Sequence, residues 1–380
     1  MRSIKTKLFS LGMAAAMLLA LGGCAMSTPA NVGSIGGVEI PAGVYLLAQY
    51  NSYNTASGLA KLATGETASD VKAVLKAECT GTINGEEVTT DGADYVSQLT
   101  TRAIEYYAAV EKEFDELGGT LDDAATAEAA NSADSLWSSN GDLYTANGIS
   151  KSTVETYLLN AQKAKTILNL TYGADGTTPV TEAEYTDYVN NECYYVETVQ
   201  FPLVNYSSYS LATDDQKAQM LQLAQAAAAS CSETQDGSVS EQVSALHSAA
   251  SAALPDIYAV LDSTPAEDAA SVQTELLTES DLTGSFTQDG AADAVRGLVY
   301  GEAAAVQYNA ASIILMMRID PLQVSTLDAL RTQILSDMKG DELEDALTAY
   351  GSTLENDLST SAMNKMPASK IVNPSSSSNS

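Results

Sequence analysis

The stretch Tyr195-Val196-Glu197-Thr198-Val199-Gln200-Phe201 decides the fold, because it interrupts a chain whose other patterns are mostly helical. It is rich in β-branched and aromatic residues, and its apolar and polar positions partly alternate, which predicts a strand over residues 194–203. The apolar run from Ser312 to Ile319, bounded by Pro321, predicts another strand. We therefore expect strands in the middle of the chain, between segments of helical periodicity.

Apolar residues at helical spacing lie on both sides of these strands. The segments with this pattern are 44–62, 68–79, 94–117, 150–170, 214–230, 240–254 and two closing helices that contain Leu327 and Leu343. Thr181 and Glu184 form a capping-box pattern at the start of one more helix. The expected fold class is α+β, with a mainly helical body built from both ends of the chain and a small mixed α/β insert.

Glycine pairs mark the turns of the first part of the chain. Gly36-Gly37 precedes the alternating Val38-Glu39-Ile40, which predicts a hairpin or turn that leads into a short strand. Pro41 then opens a helix. Gly81 and Gly85 predict a loop after the helix that ends at Cys79.

Residues 1–23 have the pattern of an export signal, with basic residues first, then the apolar run Leu8 to Leu21, then two glycines. The run is shorter than the roughly 20 apolar residues that span a bilayer. Leu21-Gly22-Gly23-Cys24 resembles a lipobox, in which the cysteine receives a diacylglycerol. The signal therefore predicts an extracytoplasmic protein that is lipid-anchored to the cell membrane through Cys24.

Two further segments near the ends are small and polar. Residues 24–34 are expected to form a lipidated, solvated tether. Residues 373–380 are rich in serine and are expected to form a disordered tail.

The chain is strongly acidic, with a formal net charge of −31. Loss of Arg2, Lys5 and Lys7 with the signal would change it from −31 to −34. Such a charge repels phosphate backbones, so no nucleic-acid partner is expected, and it favours basic or unfolded polypeptides as partners. The spacing of the other cysteines, Cys79, Cys193 and Cys231, matches neither a disulfide framework nor a metal site, and we expect three small buried residues.

Several short motifs follow one another in a moderately specific order along nearly the whole mature chain. They are Gly36-Gly37-Val38-Glu39-Ile40, Gly148-Ile149-Ser150-Lys151, Lys163 and Lys165 ahead of Tyr172-Gly173, Gly176 to Glu184, and Leu358 to Ile371. Their order resembles that of the extracytoplasmic foldase lipoproteins of the PrsA and SurA kind. These proteins combine a SurA-like helical chaperone region with a parvulin-type peptidyl-prolyl isomerase domain.

The resemblance implies a SurA-like helical region over 35–192, a parvulin-like domain over 193–321, and C-terminal helices over 322–372 that pack on the first region. Tyr195 to Phe201 then corresponds to the first parvulin strand. Leu298 to Arg318 corresponds to the last two strands, with Gly301-Glu302 in the turn.

Active members of this family carry a histidine in each of two strands, and Thr198 and Ser312 occupy those positions here. The chain has one histidine, His247, which lies in a predicted helix and is expected to be partly exposed, so a two-histidine site is impossible. The resemblance therefore implies a degenerate domain without confident catalytic residues, and it leaves open whether the chain is an enzyme.

Contact with a proline ring depends on shape and burial, so a peptide-binding slot can survive without imidazole groups. Its candidate lining residues are Phe201, Phe286, Tyr308 and Met316. Aromatic and methionine side chains at such positions are also typical of a core, and the sequence leaves both readings open.

Other site classes lack their motifs, since the sequence contains no GxSxG, no GxxxxGK[ST], no HExxH and no EF-hand spacing. No metal and no cofactor are expected. The favoured function is a membrane-anchored chaperone or foldase for unfolded or exported polypeptides, with weak or lost isomerase activity. The alternative is a solute-binding lipoprotein of a transporter, a class usually built from repeated strand–helix alternation.

Overall fold

The structure is a computed structural model that describes residues 28–62, 67, 70–205, 208, 210–265, 269–324 and 327–373. The predicted signal, the predicted lipidation site Cys24, and the predicted tail after residue 373 lie outside the described residues. In the part of the chain that is described, no helix is both long enough and apolar enough to cross a membrane.

The fold is α+β with a mainly helical body, as predicted. The helices are α1 Ala42–Leu59, α2 Val71–Lys76, α3 Gly92–Glu116, α4 Asp123–Ala146, α5 Lys151–Tyr172, α6 Glu182–Asn191, α7 Asp214–Ser230, α8 Val239–Ala259, α9 Glu279–Ser285, α10 Ala291–Gly297, α11 Leu327–Thr353 and α12 Thr360–Met363. The strands are β1 Asn31–Ile35, β2 Val38–Pro41, β3 Glu78–Ile83, β4 Glu86–Asp91, β5 Cys193–Pro202, β6 Val204–Asn205, β7 Ser210–Leu211, β8 Gln273–Thr278, β9 Ala303–Asn309, β10 Ser312–Arg318 and β11 Asn356–Leu358.

The chain divides into two compact units. The first contains the described residues up to Thr166 and from Asp345 onward, and the second contains the described residues from Ile167 to Glu344. The predicted domain boundaries at 193 and 321 therefore fall inside the second unit, which also includes α6 and the first part of α11.

The first unit has a three-stranded antiparallel sheet in the order β11-β1-β2. The predicted turn at Gly36-Gly37 is confirmed, since it joins β1 to β2. The core of this unit gathers residues of α1 and α3 together with C-terminal Met366, whose carbonyl accepts a hydrogen bond from Gln49 at 3.2 Å. The predicted tether is too long, because β1 begins at Asn31 and Val32 is fully buried.

The prediction for residues 68–85 is wrong in its second half. The helix ends at Lys76, and β3 and β4 then form an antiparallel hairpin in which Gly81 is a strand residue. A Cβ at Gly81 would lie 2.4 Å from the Tyr95 hydroxyl oxygen, so glycine permits this close approach. The hairpin is polar and mostly exposed, which leaves little apolar alternation for a sequence pattern to detect.

The second unit is built on a four-stranded antiparallel sheet in the order β8-β5-β10-β9. Both central strands, β5 and β10, are confirmed predictions. One face packs against α7 and α8 in a core that includes Phe201 and Leu315. The other face packs against α9 and α10 in a smaller core that includes Val196 and Met316.

The two predicted closing helices form one continuous helix, α11, in the structure. Gly340 lies inside it, and a single helical glycine costs only about 1 kcal/mol relative to alanine. No proline lies between the two apolar patterns, and the helix runs through Gly340-Asp341 although a glycine followed by an aspartate with Glu344 three residues on is a stop-and-start pattern in the sequence. Cys79, Cys193 and Cys231 are free and buried, as predicted.

Candidate functional site

Thr198 and Ser312 lie on the two central strands but are not neighbours. In the antiparallel register Thr198 pairs with Met316, whereas Ser312 pairs with Pro202. The two residues are therefore four positions apart along the strands, about 13 Å at 3.3 Å per residue. Side chains at these two positions cannot act together on one amide.

The surroundings of Thr198 are closed. The residue is fully buried, and its hydroxyl donates a hydrogen bond to the Glu275 carboxylate at 2.9 Å. Glu275 lies on the neighbouring strand β8, so this bond ties the edge strand to the centre of the sheet. Thr198 thus has a structural partner and no open space in which a substrate could bind.

Three of the four candidate slot residues lie together. Phe286, Tyr308 and Met316 belong to the core on the α9–α10 face, and the rings of Phe286 and Tyr308 lie 5.3 Å apart between centroids. Phe201 points to the opposite face, where it is fully buried against the α7–α8 core. Met316 is also fully buried, and Tyr308 is partly buried against the same core.

His247 is exposed on α8, as predicted, and its neighbour Leu246 is the residue that faces the core. Within the described ranges, no three residues of the His, Cys, Asp and Glu types are grouped so that they could hold a metal ion.

An open groove lies at the β9 edge of the sheet. Its volume is about 480 Å³, within the range of natural ligand sites. Leu221 and Gln225 of α7 form one wall, and the loop 287–291 ahead of and into α10 forms the other. Residues 305–307 of β9 form the floor.

The loop 287–291 is shaped by a glycine and by a backbone hydrogen bond to β9. Gly290 has φ of +78°, in the left-handed region that glycine adopts readily, and it precedes the first turn of α10. Gln288 donates a backbone hydrogen bond to the Tyr308 carbonyl at 3.4 Å, which fixes the loop beside β9. A Cβ at Gly290 would meet nothing within 4 Å, so the groove is open above this turn.

The groove is polar, with one formal charge among its described lining residues. Gln225, Gln288 and Gln307 supply side-chain amides, each of which can donate and accept hydrogen bonds. Asp289 is exposed and carries the negative charge. Amides on both walls and on the strand, with a carboxylate at one wall, suit a polypeptide backbone better than a compact apolar ligand.

The opposite edge strand, β8, is held by a buried carboxylate. Glu197 is only 8% exposed, and burial raises the pKa of its carboxyl group, while the hydrogen bond from Thr274 lowers it in part. Thr274 donates to the Glu197 carboxylate at 2.9 Å. By alternation along β5, Glu197 lies on the same face of the sheet as Val199 and Phe201.

The sequence predicted none of the groove residues. Asp289-Gly290 is a turn signal that was visible, and the uncharged run Ala303 to Tyr308 could have marked an unprotected edge. The loop and strand residues come close to Leu221 and Gln225 only because α7 packs against β9. A local sequence pattern does not predict this packing.

Comparisons with known proteins give no family assignment. No protein-family model matches the sequence, and no curated protein matches it. Among solved structures, the foldase protein PrsA from Streptococcus pneumoniae str. Canada MDR_19A is similar at 12% identity with a TM-score of 0.37, over 77% of this chain and 93% of that chain. PrsA from Bacillus subtilis is similar at 12% identity with a TM-score of 0.29, over 74% of this chain and 90% of that chain.

Proposed function

We infer that this protein is an extracytoplasmic chaperone that holds unfolded or exported polypeptides, with little or no prolyl isomerase activity. The observation that carries the proposal is the open groove along β9, whose floor is a strand edge and whose lining includes one amide side chain on each wall and one on the floor. Such a surface can bind many sequences, because backbone groups are common to all of them.

The charge of the chain supports the same function. With 49 acidic and 18 basic residues, the protein stays soluble while it exposes a binding surface, and it attracts basic clients. The resemblance of the sequence motifs to extracytoplasmic foldases agrees with this proposal.

The positions of Thr198 and Ser312 support the proposal of weak or lost isomerase activity. Rotation of a prolyl amide crosses a barrier of about 20 kcal/mol, and a catalyst must stabilise the twisted amide. Here the two positions are four residues apart in register, and Thr198 is buried against Glu275. At this separation, Thr198 and Ser312 cannot both contact one twisted amide.

The experiment measures both activities of the purified protein. A basic, chemically unfolded client is diluted into buffer, and light scattering should fall by at least half at an equimolar concentration of the protein. Isomerisation of a proline tetrapeptide should stay within about twofold of the uncatalysed rate. A His247→Ala variant is the matched control and should behave as the parent in both assays.

Two results would contradict the proposal. Fast isomerisation that persists in the His247→Ala variant would show that the sheet catalyses without imidazole. Failure to reduce scattering would remove the chaperone function and favour the solute-binding alternative.

We also propose that the protein is anchored to the membrane through a lipid on Cys24, which follows the lipobox-like Leu21-Gly22-Gly23. A Cys24→Ser variant should move from the membrane fraction to the soluble fraction. Unchanged retention in the membrane fraction would contradict the anchor.

A further inference from the structure

Hydrogen bonds at one end of the sheet define which backbone groups of β10 face β9. Gly301 donates to the Arg318 carbonyl at 2.7 Å, and the Arg318 N–H donates to the Glu302 carbonyl at 3.0 Å. The next residue, Ile319, donates in the other direction, to Tyr195 at 2.9 Å. The backbone N–H and C=O groups of the even-numbered residues of β10 therefore point toward β9, and those of the odd-numbered residues point toward β5.

The register transfers this alternation to β9. Ile314 pairs with Val306, so the N–H and C=O of Val306 point toward β10. Ala305 and Gln307 alternate with Val306, so their N–H and C=O groups point away from the sheet. These two residues also lie on the floor of the groove, so their outward-pointing backbone groups lie in it.

The edge is chemically ready to pair with another strand. Natural edge strands are usually protected by charged residues or proline, whereas β9 contains neither. The loop residue Gln288 already donates one hydrogen bond to the end of this edge, at Tyr308. A longer extended segment would continue that pairing along Ala305 and Gln307.

Charge decides between the possible occupants. A second copy would bring another net charge of −31 to the same surface, so repulsion disfavours it. An extended segment with lysine or arginine side chains is attracted by the whole molecule and by Asp289 in the groove wall. The surface therefore fits a basic polypeptide better than another copy of this chain.

We propose that β9 binds client polypeptides by strand addition: an extended, basic segment pairs with the N–H and C=O groups of Ala305 and Gln307 and lies in the groove between α7 and the loop 287–291. This inference rests on the proposed chaperone function and adds the binding mode and client class. Main-chain pairing gives affinity without a fixed sequence, and basic side chains add electrostatic attraction.

The first test changes the peptide and leaves the protein intact. The probe is a nine-residue peptide of alternating valine and lysine, compared with versions N-methylated on alternate residues or on every residue. Alternate methylation keeps one hydrogen-bonding edge and should change the Kd by less than about threefold. Methylation of every residue removes both edges and should weaken binding by at least tenfold, measured by calorimetry with the full-length protein.

A valine and glutamate peptide of the same length tests the charge, and it should bind at least tenfold more weakly than the valine and lysine peptide. Equal binding of the two would overturn the basic client class. Equal binding of the parent and the fully methylated peptide would overturn strand addition.

The second test changes the edge. Gln307→Pro removes an outward N–H inside the groove, and Ala303→Pro is the matched control, because Ala303 also faces outward but starts the strand and does not line the groove. Peptide affinity should fall at least fivefold in Gln307→Pro and change less than twofold in Ala303→Pro. Hydrogen exchange of the Ala305 and Gln307 amides in the unchanged protein should slow when peptide is added, a readout independent of whether the proline variant folds.

The results separate this inference from the proposed function. If the protein suppresses client aggregation while the peptide neither binds nor protects β9, strand addition is wrong and the chaperone function stands. If aggregation is not suppressed either, both fail. A dimer in light scattering that dissociates on addition of peptide would make a second copy the natural occupant and overturn the choice of client.

Discussion

The two edges of the four-stranded sheet, β8 and β9, differ in how they are held. β8 carries polar side chains that bond inward to β5, through Thr274 to Glu197 and through Glu275 to Thr198. β9 carries alanines, Val306 and Gln307, and it lies open beside a groove.

The difference shows that position at an edge does not by itself make a strand a binding surface. Side-chain hydrogen bonds tie β8 to its neighbour β5. In addition, β8 contains the charged residue Glu275, and a carboxylate on an edge strand discourages pairing with an acidic or apolar partner. β9 has only the small side chains of residues 303–305 in its first half, so another backbone can approach it closely. Changes to the shared core, to β9 and to β8 should therefore have separable effects.

The largest effect is expected from the core that both edges share. Phe201 is fully buried on β5, so Phe201→Ala should lower the free energy of unfolding by about 3–5 kcal/mol. Hydrogen exchange should then accelerate in β8 and β9 alike. Denaturant unfolding measures the loss, and Leu211→Ala, at a side chain that is 60% exposed, should change stability by less than about 0.5 kcal/mol.

A small effect of Phe201→Ala would mean that Phe201 does not pack in the core. The residue would then be available again as part of a peptide-binding slot, which was its other predicted role.

The next effect should be confined to the β9 side. Gly301 has φ of +78°, and a Cβ there would lie 2.2 Å from the Gln235 carbonyl oxygen. Gly301→Ala should therefore cost about 2–4 kcal/mol, from left-handed strain and from the displaced backbone. Exchange should accelerate in β9 more than in β8.

Gly297→Ala provides the control for this substitution, because a Cβ at Gly297 meets nothing within 4 Å. It should leave the free energy of unfolding nearly unchanged. Equal acceleration of exchange at both edges in Gly301→Ala would show that β8 and β9 do not respond separately.

Sequence patterns predicted the elements with strong local signals. β5 and β10 were recognised because their β-branched and apolar residues are buried on both sides of the sheet. The polar hairpin of β3 and β4 was missed because its strands carry few apolar residues, and because Gly81, a turn signal in the sequence, is a strand residue packed close to Tyr95. The single helix α11 was divided in two because its apolar stripes change around Gly340.

The candidate site was less predictable than the fold. The missing histidine pair is a sequence fact, but the four-residue offset between Thr198 and Ser312 is a property of strand register, which the sequence does not display. The groove likewise requires α7 to pack beside β9. Only the uncharged composition of β9 could have pointed to an unprotected edge before the structure was known.

The smallest effect concerns the carboxylate that holds β8. Burial raises the pKa of Glu197 above 4.5, so between the unfolded and folded pKa values the folded protein binds more protons than the unfolded chain. Stability therefore falls as pH rises through this window, and above it the full cost of burying the ionised carboxylate remains.

Glu197→Gln removes the titration, so the variant should gain stability relative to the parent as pH rises from 4 to 8. The gain should be smaller than the losses of stability expected for Phe201→Ala and Gly301→Ala. Thr274→Val removes the hydrogen bond that lowers this pKa and should steepen the pH dependence, whereas in the Glu197→Gln background Thr274→Val should leave the pH dependence unchanged. Denaturant unfolding across this range measures the slope, and an unchanged slope in Glu197→Gln would mean that the carboxylate is not buried against the sheet.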